Sequence, residues 1–438
     1  MDGAPLTLDA ATAEVLQRRA AAWLAAQGLR EGDRVAVVAP SAMEVLVVGL
    51  AALRRGIVPV LVNAALTGPE RRLILDDAEP RAVLGADDLV AAVGHDGEVE
   101  LATWPRSRPM LYTSGTTGRP KGVWTGLLDE ADAEALVRDE ADLWGFDAGD
   151  RHLVASRLYH SAPFRFAAGT LLAGGVVAVA PDAHHLADEV RRFRPTTTFL
   201  APIHLQRLLD GCEDPVAELA SFRLVAHAGA PCPTPLKERA LAALPVGSLW
   251  EFYGSTEGQF TVCSPEEWRS RPGTVGRARP GRSLHVDGDG TIWCRPPAFA
   301  RFSYWRDDAK TAAAWRDGAF SVGDLGRLDD DGYLYLDGRR DDLIITGGVN
   351  VYPLEVERVV LDHPDVREAV VFPVDDERWG QMVCAAVVGT VAEDDLRRHV
   401  EARLAPFKRP KVWHLVDALP HTPTGKLRRA EIAALLGR

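Results

Sequence analysis

Cysteine is scarce and unpaired in this chain: Cys212, Cys232, Cys263, Cys294 and Cys384 are odd in number, scattered and never in a CxxC pair. That excludes a disulfide framework and a structural zinc site, and it points to a reducing compartment. Long apolar runs are missing too. The best, Val45 to Leu53, falls far short of the roughly 20 residues that span a bilayer. The first residues, MDGAPLTLDA, carry neither the basic stretch nor the apolar one of an export signal, so the expected location is cytoplasmic. Positive charge is in deficit, 62 acidic side chains against 50 basic ones, and no Lys/Arg block offers a footprint for a nucleic-acid backbone. The histidines form no metal-spaced pair, and His184 and His185, being adjacent, cannot share a helix face.

What is there is an ordinary globular composition, 47% hydrophobic and 26% charged, in 438 residues. Such a length exceeds one core of the usual size, so at least two domains are expected. Residues 9 to 27 place Val15, Leu16, Ala20, Trp23 and Leu24 at helical spacing. Arg34 to Ala39 then reads as a buried strand, Met43 to Arg55 as a helix stopped by Gly56, and Ile57 to Val62 as a strand. The rhythm continues with strands at Val176 to Ala180, Thr196 to Leu200, Leu224 to Ala228 and Ser248 to Phe252, as in an α/β protein of doubly wound sheets. From Gly276 to Leu336 short strands alternate with Gly and Asp turns, an antiparallel β element. After Arg339-Arg340-Asp341-Asp342 a new unit begins, with helices at Pro353 to Leu361 and Ala392 to Leu404 and strands at Val366 to Val374 and Val383 to Val388. The division expected is a large N-terminal domain, 1–340, and a small mobile α+β domain, 341–438, joined by a tight hinge.

The segment richest in chemistry is Thr113-Ser114-Gly115-Thr116-Thr117-Gly118-Arg119-Pro120-Lys121. Glycines and hydroxyls supply donors without bulk, and Lys121 adds a cation, which suits the oxygens of a polyphosphate. The order differs from a Walker A loop, because Lys121 follows Pro120 and precedes Gly122. A polar surface loop is the plain alternative.

This loop resembles the signature loop of the adenylate-forming superfamily, the acyl- and aryl-CoA synthetases, peptide-synthetase adenylation domains and luciferases. Further motifs follow in the family's order. Tyr253-Gly254-Ser255-Thr256-Glu257 is similar to its aromatic-Gly-x-Thr-Glu box; the resemblance implies that Tyr253 stacks on adenine, Thr256 meets phosphate and Glu257 holds magnesium. Gly229-Ala230-Pro231, after Ala228, resembles the turn lining the adenine pocket. Asp324 looks like the ribose carboxylate and Arg339 like its arginine partner. Asp341 matches the family hinge, Gly347-Gly348 the segment beside the thiol's tunnel, and Lys426, in Thr422-Pro423-Thr424-Gly425-Lys426, the catalytic lysine of adenylation. Tyr159, His160, Phe164, Ala201, Pro202, His204 and Ala228 are the acyl-pocket candidates, a mixture of aromatic and small residues suited to a compact acid.

The resemblance implies a ligase that uses ATP and Mg2+ to make an acyl-adenylate and then transfers the acyl group to coenzyme A. A carrier protein or an amine as acceptor is the first alternative; a nucleotide-binding sensor without turnover is the second. Lys408 and Arg409, beside Pro410, are expected to meet a nucleotide phosphate. Departures from the family pattern touch the substrate: the chain is short before the Leu29 to Asp33 turn, His421 stands where Arg or Lys is common, and Trp124-Thr125-Gly126 follows the phosphate loop where a serine-histidine pair is often seen.

Overall fold

The protein is described here by a computed structural model covering residues 7–113, 120–181, 185–421, 427 and 429–436. Its main sheet has eight strands, in the order Thr7–Asp9, Val176–Val179, Arg151–Val154, Thr197–Leu200, Leu224–His227, Leu249–Gly254, Gln259–Cys263 and Arg277–Ala278. The five from Val176–Val179 to Leu249–Gly254 run parallel, and the flanking strands are antiparallel. Central parallel strands are covered on both faces and so read as unbroken apolar or β-branched runs; every residue of Thr197–Leu200 and Leu224–His227 is buried. The hydroxyl of Thr198 is satisfied by the Leu153 carbonyl at 2.8 Å, which lets a polar residue sit in that core. Thr7–Asp9 escapes sequence reading because three residues carry no period.

A second parallel sheet, Val58–Asn63, Arg34–Ala39 and Ala82–Leu84, packs beside it. Between the layers runs helix Met43–Arg54, buried at every position from Val45 onward, which explains its apolar sequence without any membrane. Gly49 is required there: a Cβ would lie 2.8 Å from the ring of Phe164 on helix Ser161–Leu172. The antiparallel region follows as expected, with Asp287–Gly290 turning between Ser283–Val286 and Ile292–Arg295, and Asp329–Gly332 between Asp324–Leu328 and Leu334–Arg339.

The chain leaves that last hairpin through a 3-10 turn, Arg340–Asp342, and enters a sheet of Val349–Val351, Ile344–Thr346, Gly380–Gly389, Val366–Asp376 and Val412–Leu415. Helices Pro353–Leu361, Glu393–Glu401 and Arg429–Leu436 cover it, so both faces carry a core. The two long strands outrun their sequence reading because Asp375↔Gln381 and Asp376↔Gly380 pair as a polar ribbon beyond the core, where no hydrophobic alternation marks them. The architecture is the expected one, a large α/β body with doubly wound sheets and a β element, then a small α+β unit. Among the described residues no helix is long and apolar enough to cross a membrane.

Candidate active site

The glycine-rich loop is held at both ends by a hairpin. Thr113, closing strand Leu111–Thr113, is the ladder partner of Lys121, opening Lys121–Trp124. Ser114, Gly115, Thr116, Thr117 and Gly118 lie outside the described residues, as does Lys426. Gly122 permits the close packing beside the loop, since a Cβ there would lie 3.0 Å from the Tyr112 ring and 3.1 Å from Trp305.

Strand Ser303–Tyr304 pairs with Lys121–Trp124 and brings Tyr304 beside Lys121. The Lys121 ammonium lies 5.2 Å from the centre of the Tyr304 ring, and Lys310, on helix Asp308–Ala314, lies 5.8 Å from it. The Tyr304 hydroxyl donates to Glu257 at 3.0 Å, and Glu257 is buried. Burial first, and the Lys310 ammonium second, hold Lys121 below the ordinary lysine range, while Glu257 and Asp341 work the other way. Two ammoniums thus share one aromatic platform beside one carboxylate, a setting that favours an incoming polyanion. Tyr304 and Lys310 carry no sequence signal; they reach Lys121 only through strand pairing.

Glu257 and Thr256 sit on a tight turn between Leu249–Gly254 and Gln259–Cys263, closed by the Ser255 N–H donating to the Gly258 carbonyl at 2.8 Å. Tyr253, at the bulge that ends the first strand, donates its hydroxyl to Asp324 at 2.5 Å. Arg339 Nε donates to the other Asp324 oxygen at 3.0 Å, and the two residues are ladder partners. Burial, then the Asp324 charge, push the Tyr253 hydroxyl well above its usual value, so it stays a donor. Arg339 is held in the charged form by Asp324 against the effect of burial. Gly229, after buried Ala228, has φ +94°, and a Cβ built on it meets nothing within 4 Å, so the turn Gly229-Ala230-Pro231 presents open backbone.

The acyl-pocket candidates divide. His160 caps helix Ser161–Leu172 and its ring lies 4.4 Å from that of Tyr159. Ala201 caps helix Pro202–Asp210, whose first turn starts at Pro202 and carries His204, buried, with Nδ1 3.0 Å from the Ser156 hydroxyl. Ala228 joins an aromatic block with Phe166, Phe199 and Phe252. Phe164 is buried with its ring against Gly49, in a core cluster on which Tyr159 also packs.

In the C-terminal unit, Asp341 occupies the 3-10 turn. Gly347 and Gly348, φ +57° and +79°, form the turn of the hairpin Ile344–Thr346/Val349–Val351; a Cβ on Gly347 would lie 3.0 Å from the Trp379 ring. His421 and Leu427, flanking Lys426, form an isolated β-bridge, and His421 pairs with Glu368 at 3.1 Å. Lys408 is engaged by Glu355 at 2.5 Å, and Arg409 donates to the carbonyls of Leu404 and Glu401, so both expected phosphate partners have local ones.

An aromatic box at the end of a parallel strand, a carboxylate–arginine pair on the hairpin that follows, and a small α+β unit entered through a short turn are the frame of an adenylate-forming enzyme. The chain belongs to the AMP-binding enzyme family: the family's main model matches residues 11–298 and the model of its C-terminal domain residues 355–426. It is 32% identical to indoleacetate–CoA ligase of Aromatoleum aromaticum, over 97% of this chain and 92% of that one. It is 30% identical to 2-succinylbenzoate–CoA ligase of Bacillus licheniformis, over 95% and 92%. The crystal structure of ATP-bound MatB from Rhodopseudomonas palustris superposes with a TM-score of 0.85 at 31% identity, covering 97% of this chain and 93% of that one.

Proposed function

We propose that this enzyme activates a small carboxylic acid with ATP and passes the acyl group to the thiol of coenzyme A, with the residues below in named roles. An acid oxygen attacks the α-phosphorus, the bond to the bridging oxygen breaks and pyrophosphate leaves. The thiol sulfur then attacks the acyl carbon and AMP leaves. The observation that carries the reading is the joining of two constellations by one box: Tyr253 meets Asp324, which also holds Arg339, while Glu257, four residues on, meets Tyr304, whose ring both Lys121 and Lys310 approach.

Asp324, oriented from both sides, suits a ribose diol, because a carboxylate accepts two hydrogen bonds at once. The Tyr253 ring offers a π-face to adenine, and Gly254 with Gly229-Ala230-Pro231 offers backbone. Thr113, the loop Ser114–Gly118, Thr256 and Lys121 take the phosphates. Magnesium fits Glu257: the carboxylate is buried, one oxygen is held by Tyr304, and no group of three His, Cys, Asp or Glu gathers among the described residues. One protein carboxylate completed by phosphate oxygens is the usual environment of that ion, which when bound neutralises charge on the phosphates. Lys426 stabilises charge developing at the α-phosphate and withdraws when the C-terminal unit turns about Asp341, after which Gly347-Gly348 lets a narrow pantetheine arm pass close to backbone. Tyr159, His160, Phe164, Ala201, Pro202, His204 and Ala228 surround the acyl group. The free thiols of all five cysteines support a cytoplasmic setting.

The test is pyrophosphate release across a panel of acids, with CoA, pantetheine or a phosphopantetheinylated carrier protein supplied, and thioester detected by mass. Thioester on CoA is expected. Thioester only on the carrier, or adenylate that accumulates with every thiol, would move the acceptor. ATP binding with no pyrophosphate from any acid would leave a nucleotide sensor.

A further inference from the structure

We infer that a buried guanidinium cluster around Glu140 forms the far wall of the acyl pocket and selects an acid bearing a second carboxylate, received by Arg165 and Arg108. This rests on the acid-activating reading above and names its substrate class.

The cluster is built on helix Glu130–Trp144. Glu140 Oε1 accepts from Arg165 at 2.5 Å, from Arg279 at 3.2 Å and from the Gln259 amide at 3.1 Å. Asp139 accepts from Arg279 at 2.7 Å and from Arg282 at 2.8 Å. Arg108 lies within the same field and is pushed down to about 10, by burial first and then by the Arg165 charge. Four guanidiniums therefore face two carboxylates, 4 − 2 = 2 positive charges in excess. Burial of charge is costly unless it is paired, and among the described residues the pairing is half complete. The Nε atoms of Arg108, Arg165 and Arg279 are buried and have no hydrogen-bond partner there. Donors are in surplus, and a carboxylate supplies the acceptors and the charge together.

The cluster also stands in the right place. Arg165 is on the helix that His160 caps, one turn from Ala162, which packs on the aromatic block containing Ala228 and Phe252. Gln259 is the ladder partner of Gly254, next to Tyr253, and its buried Oε1 has no partner among the described residues. One side chain thus links the nucleotide box to the guanidiniums. An acid whose reacting carboxylate lies at Gly254 extends toward Arg165 and Arg108 with its second one.

The test uses the full chain with MgATP and CoA and compares succinate, adipate and phthalate with their monomethyl esters by pyrophosphate release. The diacid of at least one pair is expected to have the higher kcat/KM, by about tenfold or more. Arg165→Met and Arg108→Met are each expected to lower the ratio of diacid to ester by about 10- to 100-fold. A thermal shift of the wild-type protein by the diacid alone, lost in Arg165→Met, reads binding apart from turnover. Should a variant fail to fold, Arg165→Lys, which keeps charge but lacks the fork, is expected to lower the ratio less. Esters or simple monoacids used as well as every diacid by the wild type would overturn the inference and leave adenylation standing. No pyrophosphate from either class, with ATP bound, would overturn the enzymatic reading itself.

Discussion

Tyr253 donates its hydroxyl to Asp324 at 2.5 Å across 71 residues of sequence. The bond ties the aromatic box at the end of a parallel strand to the first residue of a distant hairpin, whose ladder places Arg339 on the same carboxylate. Removing the hydroxyl leaves the ring in place and releases Asp324 from one side. Tyr253→Phe is therefore expected to raise the KM for ATP about 3- to 10-fold with a smaller change in kcat, as for loss of one hydrogen bond. Steady-state kinetics with ATP varied check this, and an unchanged KM would remove Tyr253 from the ribose side.

Lys310 shares the Tyr304 ring with Lys121 and contributes to its lowered pKa. Lys310→Met removes that ammonium and lets Lys121 hold its proton to higher pH. Pyrophosphate exchange at neutral pH is expected to fall about tenfold with the loss of one phosphate partner, while the alkaline limb of the pH–rate profile moves upward. A limb that stays where it is would separate the two lysines.

Lys426→Ala is expected to lower adenylate formation by about 100-fold or more, while thioester formation from supplied acyl-adenylate survives. Rapid-quench assays of each half-reaction measure both. Equal loss in the two would deny the lysine its single role.

Asp341→Pro addresses the 3-10 turn. Proline fixes φ near −65° and deletes an N–H, so rotation about this residue is blocked. Adenylation is expected to persist and thioester to fall to background, and a variant that completes the cycle would place the hinge elsewhere.

His421, beside the Lys426 segment, is held above its ordinary pKa chiefly by Glu368. The sign follows from linkage: a raised folded pKa adds stability below the unfolded value of about 6.5, and that stability is lost as pH rises through the folded value. Wild type is expected to lose up to about 1 kcal/mol relative to His421→Gln over that interval, because the pair is partly solvated. Denaturant midpoints from pH 5 to 9 would report it; parallel curves for the two proteins would refute it.

Much of this molecule is legible in its linear order because the governing chemistry is local. Helix and strand periods, the Asp-Gly turns at 287–290 and 329–332, and the glycine-rich hairpin between Thr113 and Lys121 depend on neighbours a few residues away. The helix Met43–Arg54, stopped by Gly56, is recognisable from its own residues. The family's motifs are legible for the same reason, since each places its donors within one turn or loop. Other features depend on pairings that no window contains. Glu257 meets Tyr304 at a separation of 47 residues, Gln259 meets Glu140 at 119, and Arg279 reaches Asp139 at 140. The packing of the Phe164 ring against Gly49, 115 residues away, is likewise absent from any window of sequence. Lys408 and Arg409 read as partners for a nucleotide phosphate, and the local partners that folding gives them, Glu355 and two carbonyls, are not legible in the sequence. Charge and aromaticity are properties of a residue, but partnership is a property of the packing that brings two remote elements within 3 Å, and only the tertiary structure decides it.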